Sequence, residues 1–147
     1  MAVETKAPPI QKFEHWTLVC SDLERSKQFY SETIGGELLS RDPTSVRLAD
    51  TIIDLFPARG GREVRHGGAG QHHAYVIKLE DYDPWVEHLR RNEVPVRLTH
   101  HGMGRLSLYM EDPDGYTIEL FVPFESEDEG RREIEKRGVL KPERQRD

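Results

Sequence analysis

The sequence predicts an α+β fold in which two tandem βαβββ modules form a curved cup with their helices on the outside. The main observation is an internal repeat. A His-x-x-(Leu/Tyr)-Val pattern that begins at His15 recurs at His72, and an Ile-(Asp/Glu)-Leu-Phe pattern that contains Asp54 recurs around Glu119. The second observation is that apolar and polar residues alternate through these patterns with a period of two, as in a half-buried strand. A stretch with helical periodicity follows each histidine-bearing strand, which completes the module.

The composition argues against several classes of protein. At 147 residues the chain is long enough for one domain with a substantial core. Its net charge of −6 argues against a nucleic-acid-binding protein, and no apolar run approaches the roughly 20 residues of a membrane span. A single cysteine, Cys20, cannot form an intramolecular disulfide, which is typical of the reducing cytoplasm. Residues 1–12 also lack the apolar core of a signal peptide, so we expect a cytoplasmic protein without nucleic-acid or membrane partners.

Changes in composition divide the chain into a flexible arm, one domain and a charged tail. The predicted boundaries are residues 1–12 for the arm, 13–123 for the domain and 124–147 for the tail. Within the domain, module one spans 13–57, a glycine-rich, basic linker spans 58–70, and module two spans 71–123. The tail alternates in charge, and its first part could form an exposed helix. A solvated tail and a segment that packs on a partner subunit both stay open as interpretations.

The elements of module one follow from its alternation and its capping residues. Leu18 and Cys20 lie on the face of the first strand that we expect to pack beneath the helix. Asp22 can cap that helix, and Gly35-Gly36 ends it. Asp42-Pro43 is typical of a turn between two of the later strands. The predicted elements are a strand at 13–20, a helix at 23–33, and strands at 37–41, 45–48 and 51–56.

Module two repeats this order of elements. Its helix carries Pro84 near the first turn, where the missing N–H is tolerated, and a buried stripe that includes Val86 and Leu89. The segment Asp112-Pro113-Asp114-Gly115 predicts a tight turn before the last strand, with the glycine placed for a positive φ. The predicted elements are a strand at 71–79, a helix at 81–92, and strands at 94–99, 105–110 and 116–122.

Four side chains in the repeat indicate a metal site. Because side chains alternate along a strand, Glu119 faces away from its apolar neighbours, which pack on the helices. The same reasoning places His15, His72 and Asp54 on the hollow side of the cup. Two imidazoles with one or two carboxylates suit a divalent transition metal such as Fe, Ni, Zn, Mn or Co. A site of this kind leaves coordination positions open, so the metal can act as a Lewis acid or activate oxygen.

Each of these residues also has an ordinary structural interpretation. A single histidine at the start of a strand is more often a hydrogen-bonded polar residue than a ligand, and a buried Glu119 could instead form a salt bridge. Their joint appearance at equivalent positions favours ligation. Asp54 is one methylene shorter than glutamate, so its role as a ligand stays open. The alignment of the two copies selects His72 over His73, and a slip of one residue would reverse that choice.

Three further residues are candidates for catalysis. Tyr109 and Ser107 alternate with apolar residues and face the cup, where Tyr109 could donate a hydrogen bond or a proton to a substrate oxygen. Arg97 could reach the cup and hold an anionic group, with a surface salt bridge as the alternative. His101 belongs to a histidine pair before a glycine, and it is either an acid/base residue or an exposed loop residue.

These motifs resemble the vicinal oxygen chelate superfamily, which includes glyoxalase I, fosfomycin-resistance thiol transferases, extradiol dioxygenases and bleomycin-resistance proteins. The resemblance covers residues 13 to 123. It rests on three motifs: His15-x-x-Leu18-x-x-x-Asp22-Leu23-Glu24-Arg25-Ser26-x-x-Phe29-Tyr30, His72-x-Ala74-Tyr75, and Asp112-Pro113-Asp114-Gly115-Tyr116-x-Ile118-Glu119-Leu120.

The resemblance implies a glyoxalase-like open barrel and a set of ligands. The family's metal ligands fall on His15, His72 and Glu119, and a fourth position, where Glu or Gln is usual, falls on Asp54. A three-ligand and a four-ligand site are therefore both open. Members of the family often exchange modules between two chains, which implies a homodimer. Whether the ligands meet within one chain or across that dimer stays open.

The function implied is that of a metal-dependent enzyme. Such enzymes bind two adjacent oxygens of a small oxygenated metabolite to the metal. The candidate reactions are of the lyase or isomerase type, thiol transfer, and dioxygenation. The alternative is a non-catalytic protein of the bleomycin-resistance type that sequesters an antibiotic or another small molecule.

Overall fold

The structure, a computed structural model, describes residues 7–101 and 105–139, and only the backbone of Ala69 and His101. It contains two four-stranded sheets, each accompanied by a helix. In module one the elements are β1 (His15–Cys20), α1 (Leu23–Gln28), β2 (Glu37–Leu39), β3 (Asp42–Leu48) and β4 (Thr51–Pro57). In module two they are β5 (His72–Val76), α2 (Leu79–Arg91), β6 (Arg97–His101), β7 (Arg105–Glu111) and β8 (Thr117–Pro123), after which α3 (Glu127–Arg137) follows.

The two sheets have the same topology. Their strand orders are β1-β4-β3-β2 and β5-β8-β7-β6. The first and last strands of each module pair in parallel, and all other pairs are antiparallel. Neither sheet closes on itself, which agrees with an open cup, and we call the side of each sheet turned away from its helix the concave face. The predicted α+β fold of two tandem βαβββ modules is confirmed.

The first helix forms where its cap predicts it. Asp22 accepts a hydrogen bond of 3.0 Å from the backbone N–H of Arg25, which satisfies one donor of the first turn. The helix continues through a π-helical turn, Phe29–Thr33, that buries Phe29 and Tyr30. Gly35 ends this segment with a positive φ of 82°, and a Cβ on the following Gly36 would lie 2.4 Å from Cγ1 of Val46 and 2.9 Å from the carbonyl oxygen of Tyr30. The chain can therefore pass from helix to β2 only with glycine at this position.

One predicted turn is wrong. The segment Asp42-Pro43 forms the beginning of β3 and not a turn. The chain turns at Ser40 and Arg41, between Leu39 and Asp42, which are paired across the hairpin. The register shifts between Leu38 and Leu39, which indicates a bulge. A proline can occupy a strand at such an irregularity because no regular ladder bond depends on its missing N–H.

The C-terminal helix packs against the body of the protein. Its residue Ile134 is buried in the hydrophobic core. Arg137 forms ion pairs with Glu133 and with Asp83 on α2, the latter at 3.3 Å. The predicted helix is confirmed, but it is not fully exposed, because its residues Gly130 and Ile134 are buried against the body of the protein. Residues 140–147 of the predicted tail lie outside the described residues. Within the part of the chain that is described, every helix is too short or too polar to cross a membrane.

A turn of module two fastens the two modules together. Asp114 accepts hydrogen bonds from the backbone N–H and the hydroxyl of Ser21, at 3.0 and 2.5 Å. Tyr30 donates a hydrogen bond of 2.8 Å to Asp112, and both residues are buried. Burial raises the pKa of Asp112 from its usual value and raises that of Tyr30 well above its own. These contacts connect the residues just before and just after α1 to the turn between β7 and β8.

We expect Tyr30→Phe to lower the free energy of unfolding by about 1–3 kcal/mol, because Asp112 then loses a donor in a buried position. Urea denaturation of the two proteins measures this difference. Asp112→Asn and the double variant complete a cycle, in which the two changes together should cost less than the sum of the single changes. Strict additivity would contradict a direct contribution from this hydrogen bond.

Candidate functional site

Module two carries a histidine–carboxylate pair on the face turned away from the helices. His72 begins β5, and Glu119 lies in the middle of the neighbouring strand β8. Nε2 of His72 is 3.0 Å from Oε2 of Glu119. The Glu119 side chain is only 2% exposed. Since Ile118 and Leu120 pack into the core on the other side, the alternation of β8 sends the carboxylate to the concave face.

Module one carries the corresponding pair. His15 begins β1, and its Nε2 is 3.7 Å from Oδ2 of Asp54 on β4. Nδ1 of His15 forms a hydrogen bond with the carboxylate of Glu14. This hydrogen bond, together with the charges of Glu14 and Asp54, raises the pKa of His15 although partial desolvation opposes it. A carboxylate on one ring nitrogen is the usual support of a metal-binding histidine, and it leaves Nε2 as the ligand atom.

The spacing and the chemistry of both pairs fit a metal ion. Two ligand atoms that each lie about 2.0–2.2 Å from one ion are roughly 3–4 Å apart. The separations of 3.0 Å in module two and 3.7 Å in module one fall in that range. Imidazole and carboxylate together suit a divalent transition metal. Each pair could therefore supply two ligands to such an ion, His15 with Asp54 in module one and His72 with Glu119 in module two.

The four predicted ligands do not meet in one chain. Among residues 7–101 and 105–139, no group of three or more His, Cys, Asp or Glu side chains is placed to hold one ion. The structure brings His15 to Asp54 and His72 to Glu119, and it leaves the two pairs separate.

The choice between the two adjacent histidines agrees with the alignment of the repeat. The His73 ring lies on the other side of β5, where it meets the Trp16 ring edge-on with 4.0 Å between centroids. Its Nδ1 is 3.0 Å from the hydroxyl of Tyr75. Burial, and to a lesser degree the neighbouring His72, lowers the pKa of His73 to about 3. His73 is therefore a neutral packing residue, and His72 is the one that faces a carboxylate.

Tyr109 and Arg97 lie beside the pair of module two. Tyr109 is directly across from Glu119 in the sheet, and its ring centroid is 5.5 Å from that of His72. Burial raises the pKa of Tyr109 to about 12, with smaller contributions from the charge and hydrogen bond of Glu119. The phenol therefore keeps its proton at neutral pH and can act as a donor.

The guanidinium group of Arg97 packs over the ring of Tyr109, where its positive charge is available to an anionic group. Its guanidinium carbon is 4.4 Å from the ring centroid, which is a cation–π contact. Within the described part of the chain no carboxylate lies close enough to Arg97 for an ion pair, so the alternative of a surface salt bridge is not what the structure shows. Arg97 and Tyr109 line a cavity of about 360 Å³, together with Glu111 and Thr117. His101 ends β6, and its side chain lies outside the described residues.

The sequence analysis did not identify one residue of the site, Ser45. Its hydroxyl donates a hydrogen bond of 2.5 Å to Oδ1 of Asp54, and Ser107 donates one of 2.6 Å to Oε1 of Glu119. No local signal distinguished Ser45, because its strand also carries the polar residues Asp42, Thr44 and Arg47. Its partner could not be read from the sequence, because that depends on the register between β3 and β4.

Comparison with known proteins places the chain in a family. The profile of the Glyoxalase/Bleomycin resistance protein/Dioxygenase superfamily matches residues 12–120. The chain belongs to this superfamily. The predicted resemblance is therefore confirmed, and it covers nearly all of the two modules.

Relatives within the superfamily include proteins named as transferases. Glutathione transferase FosA of Serratia marcescens is 32% identical, over 77% of this chain and 82% of that protein. Metallothiol transferase FosB of Staphylococcus epidermidis is 31% identical, over 76% and 81%. A putative glyoxalase family protein of Bacillus anthracis shares the fold with a TM-score of 0.67, at 19% identity over 81% of this chain and all of that one. The relatives favour the enzyme over the alternative of a sequestering protein.

The burial of His73 leads to a prediction about how the free energy of unfolding depends on pH. Its pKa is depressed from 6.5 to about 3 in the folded protein, so below pH 6.5 the unfolded chain takes up a proton that the folded chain does not. The stability associated with neutral His73 is therefore present above pH 6.5 and is lost as the pH falls toward 3.

Urea denaturation between pH 6 and pH 4, with metal chelated, should show that His73→Phe removes part of this dependence. The expected change in slope is about 1.4 kcal/mol per pH unit. Equal slopes for the two proteins would contradict the assignment of His73 as a neutral buried residue.

Proposed function

We propose that this protein is a metal-dependent vicinal oxygen chelate enzyme that acts on a small oxygenated metabolite. Its metal ligands are His15, His72 and Glu119, with Asp54 as the fourth. One observation carries the proposal: at equivalent positions of the two modules, an imidazole and a carboxylate lie at the spacing of two ligands of one ion.

We propose further that a homodimer completes the site. Because each chain presents its ligands as two separate pairs, module one of one chain must face module two of a second copy to assemble a full shell. The exposure of apolar residues on the concave side supports this arrangement, since Val76 at the end of β5 is 64% exposed and Phe56 on β4 is also exposed. A second copy would cover both side chains.

The protein residues around the site suggest how a substrate is held. A bound metal would supply a Lewis acid that polarises two adjacent substrate oxygens. Tyr109, protonated at neutral pH, would donate a hydrogen bond to one of those oxygens. Arg97 would bind an anionic part of the substrate in the cavity of about 360 Å³ that the two residues share.

Thiol transfer is the first reaction to test. The names of two relatives at 32% and 31% identity specify thiol or glutathione transfer. The buried, unpaired Cys20 is consistent with a reducing cytoplasm, where thiol cosubstrates are abundant. Lyase or isomerase chemistry and dioxygenation use the same chelation and are tested with the same metal-loaded protein.

The wild-type protein should contain about one divalent transition metal per site, and His72→Ala and Glu119→Gln should each lose it. Elemental analysis measures the metal content after the protein has been loaded with metal and passed through gel filtration. His88→Gln is a matched control, because His88 lies on α2 and donates to the backbone of Thr33 away from the site. A folded wild-type protein that takes up no metal under any loading condition would overturn the enzyme proposal and direct attention to ligand sequestration.

A complementation experiment tests the shared site. If the ligands come from two chains, a heterodimer of His15→Ala and Glu119→Gln chains retains one intact site of two. Heterodimers purified through two different tags should then hold about half of the wild-type metal, whereas each variant homodimer holds little. Equally low metal in heterodimer and homodimers would show that the four ligands meet within one chain.

A further inference from the structure

A buried serine hydroxyl accompanies the carboxylate of each module. Ser107 and Ser45 are 0% and 3% exposed, and each lies on the strand next to its carboxylate. Ser107 donates to Oε1 of Glu119 over 2.6 Å, and Ser45 donates to Oδ1 of Asp54 over 2.5 Å. In both modules the other carboxylate oxygen faces the histidine. A serine–carboxylate–histidine array therefore occurs twice, once in each copy of the repeat.

The geometry of the arrays determines which carboxylate oxygen is available. Both distances are those of a charge-assisted O–H···O⁻ hydrogen bond, which is shorter and stronger than a neutral one. A carboxylate that binds a metal through both oxygens must turn both of them toward the ion. With Oε1 of Glu119 held by Ser107, only Oε2 is directed toward His72.

We propose that Ser107 and Ser45 are positioning residues, which make Glu119 and Asp54 each coordinate the metal through a single oxygen. This inference rests on the proposed function. Two imidazoles and two single oxygens would occupy four positions of a bound metal. A six-coordinate ion then keeps two positions, the number that two adjacent substrate oxygens require. If both carboxylates bound through two oxygens, these positions would be filled.

The two serines should not contribute equally. Ser45 is directly across from Asp54, whereas Ser107 reaches Glu119 diagonally, because Ser107 is paired with Phe121. The Asp54 side chain is 23% exposed and that of Glu119 only 2%, so water can replace the hydroxyl of Ser45 more easily than that of Ser107. We therefore expect the larger effect from Ser107.

Thr99 provides a matched control. It lies on β6 directly across from Ser107 and is 2% exposed. Its hydroxyl has no hydrogen-bond partner among the described residues. Thr99→Val therefore removes a buried hydroxyl from the same part of the sheet without touching a carboxylate contact.

A titration of the full-length protein with Co²⁺ alone, monitored by the visible absorption of the bound ion, tests the proposal. Ser107→Ala should weaken Co²⁺ binding by about 10- to 100-fold, the usual effect of losing a partner of a metal ligand. Its absorption should also change, because the released Oε1 can then displace a water from the six-coordinate ion. Ser107→Thr, which keeps the hydroxyl, should restore most of both properties. Thr99→Val should match the wild type, and Ser45→Ala should show the same change as Ser107→Ala but smaller.

Several results would overturn the proposal. Unchanged Co²⁺ affinity and spectrum in Ser107→Ala, or in Ser45→Ala, would exclude the positioning role of that serine. A loss of Co²⁺ affinity in Thr99→Val equal to that in Ser107→Ala would show that the serine acts through general stability. These results leave the proposed function standing, since the wild type still binds Co²⁺. A folded wild type that does not bind Co²⁺ would overturn both.

Discussion

The burial of the Glu119 carboxylate is the constraint on which the arrangement of module two depends. A charged group that is 2% exposed is strongly unfavourable unless other groups compensate it. Here a hydroxyl from β7 and an imidazole from β5 meet its two oxygens. Both contacts need β8 between those two strands, which is where the topology places it. The position of β8 between β5 and β7 therefore determines which groups contact the Glu119 carboxylate.

Module one shows the same design with a shorter acid. Asp54 is 23% exposed, and its partner Ser45 is directly across from it instead of diagonal. A side chain that is one methylene shorter projects less far from the sheet, so the donor must come from the opposite residue. The two copies thus keep the same relation of serine, carboxylate and histidine while differing in register and exposure.

Contacts between the modules are built from residues outside the metal-binding pattern. The turn that contains Asp112 and Asp114 meets Tyr30 and the start of α1, and the rings of Trp16 and His73 meet where β1 and β5 approach each other. These contacts decide how the two concave faces are oriented. Within one chain they hold the pairs apart, which makes a second copy the source of the remaining ligands in our proposal.

The sequence by itself determined the order of elements and the face on which each candidate ligand lies, because alternation with a period of two is a local property of a strand. It therefore predicted that Glu119 and His72 share a face. The turn at Asp42-Pro43 was wrong because a bulge, set by pairing across the hairpin, decides where that chain reverses. Only the tertiary structure showed that Ser45 supports Asp54 and that the ligands gather as two pairs. Such distances depend on register and on the packing of one module against the other, and neither is encoded in the periodicity of a single strand.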